Sequence, residues 1–304
     1  MQVGYILFGI VPVLVSLANR AGWGASATVV ARFVITCICV LGLAAATGQS
    51  LKSSNTRLLL MRGLFGGSAV MCYFVAVKET GAGMGTLLNN THSIWANVLA
   101  VLVLGQRPFR GFWILLSIAV AGLWLVIDPS FDKLSWGELL GLLSGILAGA
   151  AILCVKELRK SESALTILLS FSVAGLLCGL PFYLYEVLQA PGGIPGYWRG
   201  AWDAIFHAGG PVQSSRILIG WLAILGVGLS SFAAQLLFTQ GYKNTSVQLG
   251  SLISLTTPVI ASFLGWFFLN EPLGIKFIIG AFLTLVACTL MARRESVAHQ
   301  EAAG

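Results

Sequence analysis

Residues Gly83 to Gly105 read GMGTLLNNTHSIWANVLAVLVLG, a segment that is apolar enough to cross a bilayer but polar in its first half. A helix turns by about 100° per residue, so five of its polar side chains fall within an arc of about 100°; they are Thr86, Asn89, Asn90, Ser93 and Asn97. Amide groups are costly to bury in hydrocarbon, so this polar stripe should face protein, water or a ligand. Two interpretations remain: the amides bond neighbouring helices, or they line a pore or binding site.

The composition of the whole chain is that of an integral membrane protein. Of its 304 residues, 57% are hydrophobic and only 10% are charged, whereas a soluble domain has about 25% charged residues. The net charge is +7, but the basic residues form no dense run, so nucleic acid is not an expected partner. The expected partners are the lipid bilayer and a small-molecule substrate, and no cofactor or metal is expected.

Ten segments have the roughly 20 apolar residues that a membrane span requires. They are 3–19, 25–46, 57–78, 82–104, 109–127, 136–156, 163–187, 216–240, 246–269 and 273–292. The stretch 188–215 is rich in Gly and Pro, and it is predicted to be an extracytoplasmic loop with a short interfacial helix. Ten basic residues lie in the loops and tail on the side of the termini, against six on the other side, so both termini and the tail 293–304 are predicted to be cytoplasmic.

An internal repeat relates the two halves of the chain. Residues 60–122 align with residues 225–287 at a constant shift of 165 positions and without a gap. The matched pairs include Gly63 with Gly228, Lys78 with Lys243, Thr80 with Thr245, Gly85 with Gly250 and Leu104 with Leu269. Each repeat holds five spans, and because five is odd the second copy enters the membrane upside down. The predicted fold is therefore an all-α integral membrane protein with ten transmembrane helices in two inverted five-helix repeats, 1–130 and 131–292.

Inverted repeats are typical of transporters, which bind substrate near mid-membrane between the two halves. The shift of 165 places the polar stripe opposite a milder counterpart in the second copy, made of Ser251, Ser254, Pro258 and Ser262. This pairing favours a central cavity with one strongly polar wall and one weakly polar wall. Tyr73, Gln235 and Phe238, on the flanking spans 3 and 8, are further candidates for its lining, with ordinary helix packing as the alternative.

Two arginines and one histidine lie at membrane depth. Arg32 and Arg62 are about seven and five residues into their spans. Their long side chains are expected either to reach the interface from near the span end or to pair structurally within the bundle. The alternative for Arg32 is to act as counter-ion for an anionic group of a substrate. His92 is the mid-membrane group able to titrate near neutral pH. A hydrogen-bonding role is preferred for it, because a neutral imidazole satisfies a polar patch without a change of charge.

Span 6 carries glycines at every fourth position: Gly137, Gly141, Gly145 and Gly149. Glycines at this spacing leave a groove in which another helix backbone approaches closely. The predicted partner is another span of the same bundle, and the alternatives are a second copy of the chain or a thin wall of the cavity.

The chain resembles the drug/metabolite transporter superfamily, specifically its ten-helix members with two EamA repeats. The resemblance covers about residues 3–292 and is carried by Arg32 and Phe33, by LLLMRGLFGG at 58–67, by YFVAVKETGAGMGTLL at 73–88, and by the second-copy segment 238–273 with Pro258 and Glu271. In the first copy Ser93 and Gln106 occupy the places of that proline and acid, so span 4 is expected to lack the proline kink.

The resemblance implies a bundle around a central cavity lined by spans 1, 3, 4, 6, 8 and 9, with spans 5 and 10 peripheral. Members mostly export amino acids and other small metabolites from bacteria. The four-helix multidrug members use a glutamate in their first span, and span 1 here has none. The implied location is the bacterial inner membrane.

These features together predict a secondary transporter, by resemblance an exporter, that works by alternating access. Amides bind donors and acceptors alike, which suits an amino acid or a related zwitterionic or heterocyclic metabolite. The candidate substrate-binding residues are Asn89, Asn90, His92, Ser93, Asn97, Tyr73, Gln235, Phe238, Ser254, Ser262 and Arg32. The alternative is a lipid scramblase or flippase, which requires a polar groove open to lipid. An enzyme is not expected, because the sequence pairs no nucleophile with a base.

Overall fold

Twelve helices make up the part of the chain that the computed structural model describes, namely residues 1–80, 82–105, 111–127, 135–189, 211–269 and 274–301. No strand occurs in these ranges. In chain order the helices are α1 (Gln2–Arg20), α2 (Ala25–Thr47), α3 (Thr56–Thr80), α4 (Ala82–Asn90), α5 (His92–Leu104), α6 (Phe112–Ile127), α7 (Trp136–Leu158), α8 (Ala164–Gln189), α9 (Pro211–Gly241), α10 (Val247–Ser254), α11 (Thr256–Leu269) and α12 (Ile275–Glu301).

Among the described residues, eight helical segments are long and apolar enough to cross a membrane. Two of these segments each contain two helices: Met84–Leu104 includes part of α4 and all of α5, and Val247–Leu269 includes α10 and α11. The fifth and tenth spans of the sequence prediction correspond to shorter apolar helices, Phe112–Gly122 and Ile278–Ala287. The all-helical class is thus confirmed, and eight of the ten predicted spans have full length here.

The long loop and the tail of the sequence prediction fall partly outside this description. Residues 190–210 of the predicted loop 188–215 lie outside the described residues. The two ends of that range are helical, because α8 reaches Gln189 and α9 begins at Pro211. Helix α12 continues to Glu301, so most of the predicted tail 293–304 is helical as well.

Aromatic contacts join the helices on two sides of the bundle. Tyr5 and Phe8 of α1 pack edge-on against Phe238 of α9, with ring centroids 5.9 and 6.0 Å from it. Phe33 of α2 packs edge-on against Phe171 of α8 at 5.1 Å. Edge-to-face geometry at these distances is favourable for aromatic rings, so both clusters hold their helices at a fixed separation around the bundle centre.

The span that carries the polar stripe is interrupted at Thr91. In a continuous α-helix each carbonyl oxygen accepts a bond from the N–H four residues on. Here side chains bond three of these carbonyls: Asn90 Nδ2 to Thr86 O at 2.7 Å, Thr91 Oγ1 to Leu88 O at 2.6 Å and His92 Nδ1 to Asn89 O at 2.9 Å. Such local bonds compete with the helix ladder, so α4 ends and α5 begins at this point. Span 4 lacks the proline, as the sequence shows, and is nevertheless interrupted, because polar side chains bond its carbonyls at this point.

The equivalent span of the second half is interrupted at Leu255. Pro258 has no N–H, so the carbonyl of Ser254 has no helical donor. Two hydroxyls also bond local carbonyls, Ser254 Oγ to Ser251 O at 2.5 Å and Thr256 Oγ1 to Ile253 O at 2.7 Å. Both spans that carry polar stripes are therefore discontinuous in their middle.

The glycines of α7 form a groove that is filled within the same chain. A Cβ placed on Gly141 would lie 2.8 Å from Leu88 Cβ, and one on Gly149 would lie 2.8 Å from Trp95 Cβ. At Gly145 it would lie 2.1 Å from Thr91 Oγ1 and 2.9 Å from the Leu88 carbonyl oxygen. This confirms the prediction that the groove receives another helix of the bundle: α4 and α5 lie in it at their interruption.

Outside the spans, Glu162 fixes the start of α3. Its carboxylate, only 6% exposed, accepts from Ser53 Oγ at 3.0 Å, from Ser54 N and Oγ at 2.7 and 2.8 Å, and from Asn55 N at 3.1 Å. Burial by itself raises the pKa of this carboxyl, but the donors outweigh it and hold the pKa below its ordinary value. The carboxylate also lies at a helix N-terminus, where negative charge is stabilised.

Glu162→Gln is expected to lower the free energy of unfolding by about 1 kcal/mol at neutral pH and to have little effect in acid. Since the folded pKa lies below the unfolded pKa, the carboxylate stabilises the fold above the unfolded pKa, and this contribution is lost as the pH falls through the folded pKa. Thermal unfolding in detergent across the acid range measures the difference. Glu157→Gln is the matched control, because the Glu157 side chain is 40% exposed and forms a surface ion pair with Lys160 at 2.6 Å. An equal loss from Glu162→Gln at neutral and acid pH would contradict the role of its charge.

Candidate functional site

A cavity of about 150 Å³ lies where the two interrupted spans face each other. Every described helix except α6 and α12 contributes to its wall. This matches the lining implied by the family resemblance, with two additions, Arg32 from α2 and Phe171 from α8. A more open groove of about 620 Å³ along α6 is lined almost entirely by apolar side chains such as Trp113 and Trp124, so it offers few groups to hold a polar molecule.

The polar wall of the cavity comes from α3 and α4. Asn89 lines it and donates from Nδ2 to Ser144 Oγ at 3.0 Å, which ties the wall to α7. The Tyr73 hydroxyl lies 3.1 Å from Thr86 Oγ1, so these two side chains orient each other. On the opposite side Gln235 brings a further amide from α9. The interruption at Thr91 thus places several uncharged donors and acceptors on one small volume.

His92 links the polar wall to the second half of the chain. Its Nδ1 lies 2.9 Å from the Asn89 carbonyl oxygen and its Nε2 lies 3.1 Å from Ser254 Oγ. A carbonyl oxygen only accepts, so Nδ1 carries a proton, and Nε2 of the neutral ring is an acceptor. The Ser254 hydroxyl has a single proton, for which Nε2 and the Ser251 carbonyl oxygen compete. Both ring nitrogens lie within hydrogen-bond distance of protein groups, in keeping with the hydrogen-bonding role predicted for the histidine.

Three sequence-predicted site residues lie outside the cavity lining: Ser93, Asn97 and Ser262. Asn97, 1% exposed, donates from Nδ2 to Ser93 O and to Ser251 Oγ, both at 2.6 Å. The Ser93 hydroxyl donates to Ser251 O at 2.8 Å. The deeper part of the polar stripe therefore bonds α5 to α10, whereas its first part lines the cavity.

Two buried cations face the cavity. Arg32 and Arg62 are 5% and 2% exposed, and both line the wall. The Arg32 Cζ lies 5.5 Å from the ring centroids of Phe33 and Phe74, and the Arg62 Cζ lies 4.3 Å from that of Phe171. Cation–π contact stabilises a guanidinium in a partly desolvated place. Of the alternatives stated for these arginines, extension to the interface is wrong for both, because aromatic rings hold the side chains inside the bundle.

Eight of the eleven predicted residues are brought together here: Arg32, Tyr73, Asn89, Asn90, His92, Gln235, Phe238 and Ser254. Sequence reasoning did not place Arg62, Phe171 or Thr257 in the lining. A signal for Arg62 existed, since Gly66 follows one turn later and leaves room for a side chain that extends inward. The lining by Phe171 and Thr257 depends on how separate spans pack, which no local pattern records.

The model of the EamA-like transporter family matches this chain twice, over residues 2–128 and 135–293. A pseudopaline exporter of Pseudomonas aeruginosa is 23% identical over 300 residues, which cover 96% of this chain and 97% of the exporter. An uncharacterised transporter of Archaeoglobus fulgidus is 27% identical over 240 residues, which cover 79% of this chain and 77% of the relative. One solved crystal structure matches 97% of this chain and 99% of its own, with a TM-score of 0.67 at 17% identity, and so shares its fold.

Proposed function

The chain belongs to the EamA-like transporter family, and from that membership we propose that it is a secondary transporter that exports a small polar metabolite by alternating access. The observation that carries the proposal is the cavity between two interrupted spans, lined by amides, hydroxyls and arginines. Discontinuous helices in corresponding places of the two halves mark the substrate site of many transporters. The named exporter among the relatives supports the direction of transport.

The proposed architecture has ten spans in two inverted repeats, 1–130 and 131–292, with α6 and α12 as the fifth and tenth spans. Three observations support it. The family model matches each half separately. The interruptions at Thr91 and Leu255 are 164 positions apart, within one residue of the repeat shift. Thr284 Oγ1, which donates to Gly280 O at 2.8 Å, also lies 3.3 Å from Ala119 O, and Thr284 and Ala119 are 165 positions apart. In a pair of inverted repeats a residue meets its own equivalent only near the two-fold axis, so in this proposed architecture α6 and α12 would lie beside the axis.

The proposed location is a bacterial inner membrane with both termini in the cytoplasm. The excess of basic residues in the loops and tail on that side supports this orientation. The similarity to a bacterial exporter over nearly the whole length of both chains supports a bacterial membrane as the location. In this orientation the loop 188–215 is extracytoplasmic.

In the proposed site, the amides of Asn89, Asn90 and Gln235 bond polar groups of the cargo, and Phe238 packs against its apolar part. Tyr73, His92 and Ser254 complete the wall, while Ser93 and Asn97 hold α5 on α10. The scramblase alternative requires the polar stripe to face lipid. Asn90 and Asn97 are 4% and 1% exposed and Asn89 lines the interior cavity, so the transporter is favoured.

The experiment that tests this proposal is closure of the cavity with a bulky side chain. The purified protein is first screened by thermal shift against amino acids, nucleosides, vitamins and organic acids, and the stabilising compound is then used in proteoliposome counterflow. Ala148 lines the cavity from α7, so Ala148→Phe is expected to abolish counterflow. Ile146→Phe on the outer face of α7 (Ile146 is 39% exposed) is the matched control and should transport normally. Undiminished counterflow by a folded Ala148→Phe protein would refute the cavity as the route.

A further inference from the structure

Arg32 and Arg62 are buried cations whose charges are not balanced by the part of the chain that the structure describes. Nε of Arg32 and both Nε and Nη1 of Arg62 have no hydrogen-bond partner there. None of the residues described along the cavity is Asp or Glu. A buried charge without a partner is strongly unfavourable. Aromatic contact offsets a part of that penalty, but it supplies no acceptor to these three N–H groups within the described residues.

The orientation of Arg62 is not that of a snorkelling side chain, which extends to the membrane interface. A Cβ placed on Gly66 would lie 1.9 Å from Arg62 Nη1. Gly66 is one turn further from the N-terminal end of α3, so the guanidinium extends toward the middle of the span. A snorkelling arginine near a helix end extends the other way. The glycine leaves the space for this inward orientation.

Both guanidinium groups belong to one site. Arg32 contacts Phe33 and Arg62 contacts Phe171, and these two rings pack together at 5.1 Å. The same cavity holds uncharged polar groups, including Asn89 and Gln235. The site therefore combines two separate cations with neutral donors and acceptors inside one enclosed volume.

We propose that the cargo is a small organic dianion with two carboxylate groups, one for each guanidinium. This inference rests on the proposed transporter function. Guanidinium matches carboxylate as a two-pronged donor, and charge-assisted pairs of this kind are among the strongest hydrogen bonds in proteins. A cargo with one negative group leaves one buried cation uncompensated. The volume of about 150 Å³ is on the order of the engineered cavity that holds benzene, so in this conformation the site accepts a short diacid.

The test uses probes that share one carbon skeleton and differ only in charge. Succinate, succinamate and succinamide are doubly charged, singly charged and neutral, and malonate to adipate vary the spacing of the two carboxylates. Thermal unfolding of the purified protein is followed in a buffer free of chloride and phosphate. At least one diacid is expected to raise the Tm, with the monoamide weaker by about tenfold or more in Kd and the diamide inactive. Inorganic phosphate is a separate arm.

Arg32→Met and Arg62→Met separate a binding role from a structural one. Each is expected to remove the diacid response. Each is also expected to raise the Tm of the empty protein, because an uncompensated buried charge is gone. Arg57→Met is the matched control on α3; Arg57 is exposed, and its replacement should change neither measurement. A lowered Tm of the empty Met variants with an unchanged diacid response would assign the arginines a structural role and overturn the proposal.

Three further outcomes bear on the dicarboxylate proposal. A diamide response equal to that of the diacid, no response across the diacid series, or stabilisation by inorganic phosphate alone would overturn the dicarboxylate cargo. The transporter proposal has its own readout in proteoliposomes. If a diacid binds but does not cross the membrane, the proposed binding site stands and the proposed transport function is refuted. If a neutral compound is transported, the transport function stands and the proposal of a dianionic cargo is refuted.

Discussion

Gly145→Ala is expected to destabilise the protein by several kcal/mol, enough to prevent recovery of a folded protein at ordinary temperature. The added methyl group would lie 2.1 Å from Thr91 Oγ1 and 2.9 Å from the carbonyl oxygen of Leu88. The threonine hydroxyl can rotate only by giving up its bond to that same carbonyl. The carbonyl is backbone, so α7 must separate from α4 and α5, and tightly packed interiors resist such displacement.

Gly42→Ala is the matched control for this substitution. Gly42 also lies inside a helix, α2, but no atom would come within 4 Å of its added Cβ. There alanine is expected to stabilise the helix by about 0.5–1 kcal/mol, since glycine loses more backbone freedom on folding. Size-exclusion profiles and Tm values of the two detergent-solubilised variants measure the contrast. A Gly145→Ala protein as stable as Gly42→Ala would mean that the groove of α7 is not filled as described.

Asn89→Ala is expected to lose transport but not stability, and Asn97→Ala to lose stability but not affinity for cargo, although the two amides belong to one polar stripe. Asn89 lines the cavity, and its side-chain amide donates to Ser144 Oγ. Its removal should reduce transport by about tenfold or more, because one hydrogen bond to a polar cargo is lost. The Tm should change little. Asn97 is outside the lining and bonds both Ser93 and Ser251. Its removal should lower stability by about 1–2 kcal/mol and spare the affinity for cargo.

Counterflow rates per folded protein, together with Tm values, measure this contrast. Each variant serves as the control for the other, because both remove the same chemical group from the same span. Normal transport by Asn89→Ala would remove it from the site. A loss of transport by Asn97→Ala without any loss of stability would extend the site to α5.

The helical class and most of the spans could be predicted, because long apolar runs in a chain with 10% charged residues have few other solutions. The glycine groove could also be predicted, since its spacing of four is a local property. The interruption at Thr91 was not predicted, because it results from side chains bonding to backbone carbonyls rather than from a proline. Its components, Asn90, Thr91 and His92, are nevertheless adjacent in the sequence, and capping side chains of this kind could be sought in other chains.

The candidate site could be predicted where a local pattern or the internal repeat marked it. Asn89, Asn90 and His92 are neighbours on one span, and Tyr73, Gln235, Phe238 and Ser254 were reached through the repeat. Whether Asn97 faces a cargo or another helix depends on where Ser251 of α10 comes to lie, and this is a property of tertiary packing. The direction of Arg62 likewise depends on the ring of Phe171 from α8.

The two interruptions differ in mechanical stiffness. At Pro258 the missing N–H cannot be restored, so the joint at Leu255 is permanently compliant. At Thr91 the carbonyls are held by hydroxyl, amide and imidazole groups, and these can rotate away and allow the helical ladder to close. In the proposed alternating-access cycle the two interruptions would therefore contribute unequally, because only the one at Thr91 can revert to a continuous helix.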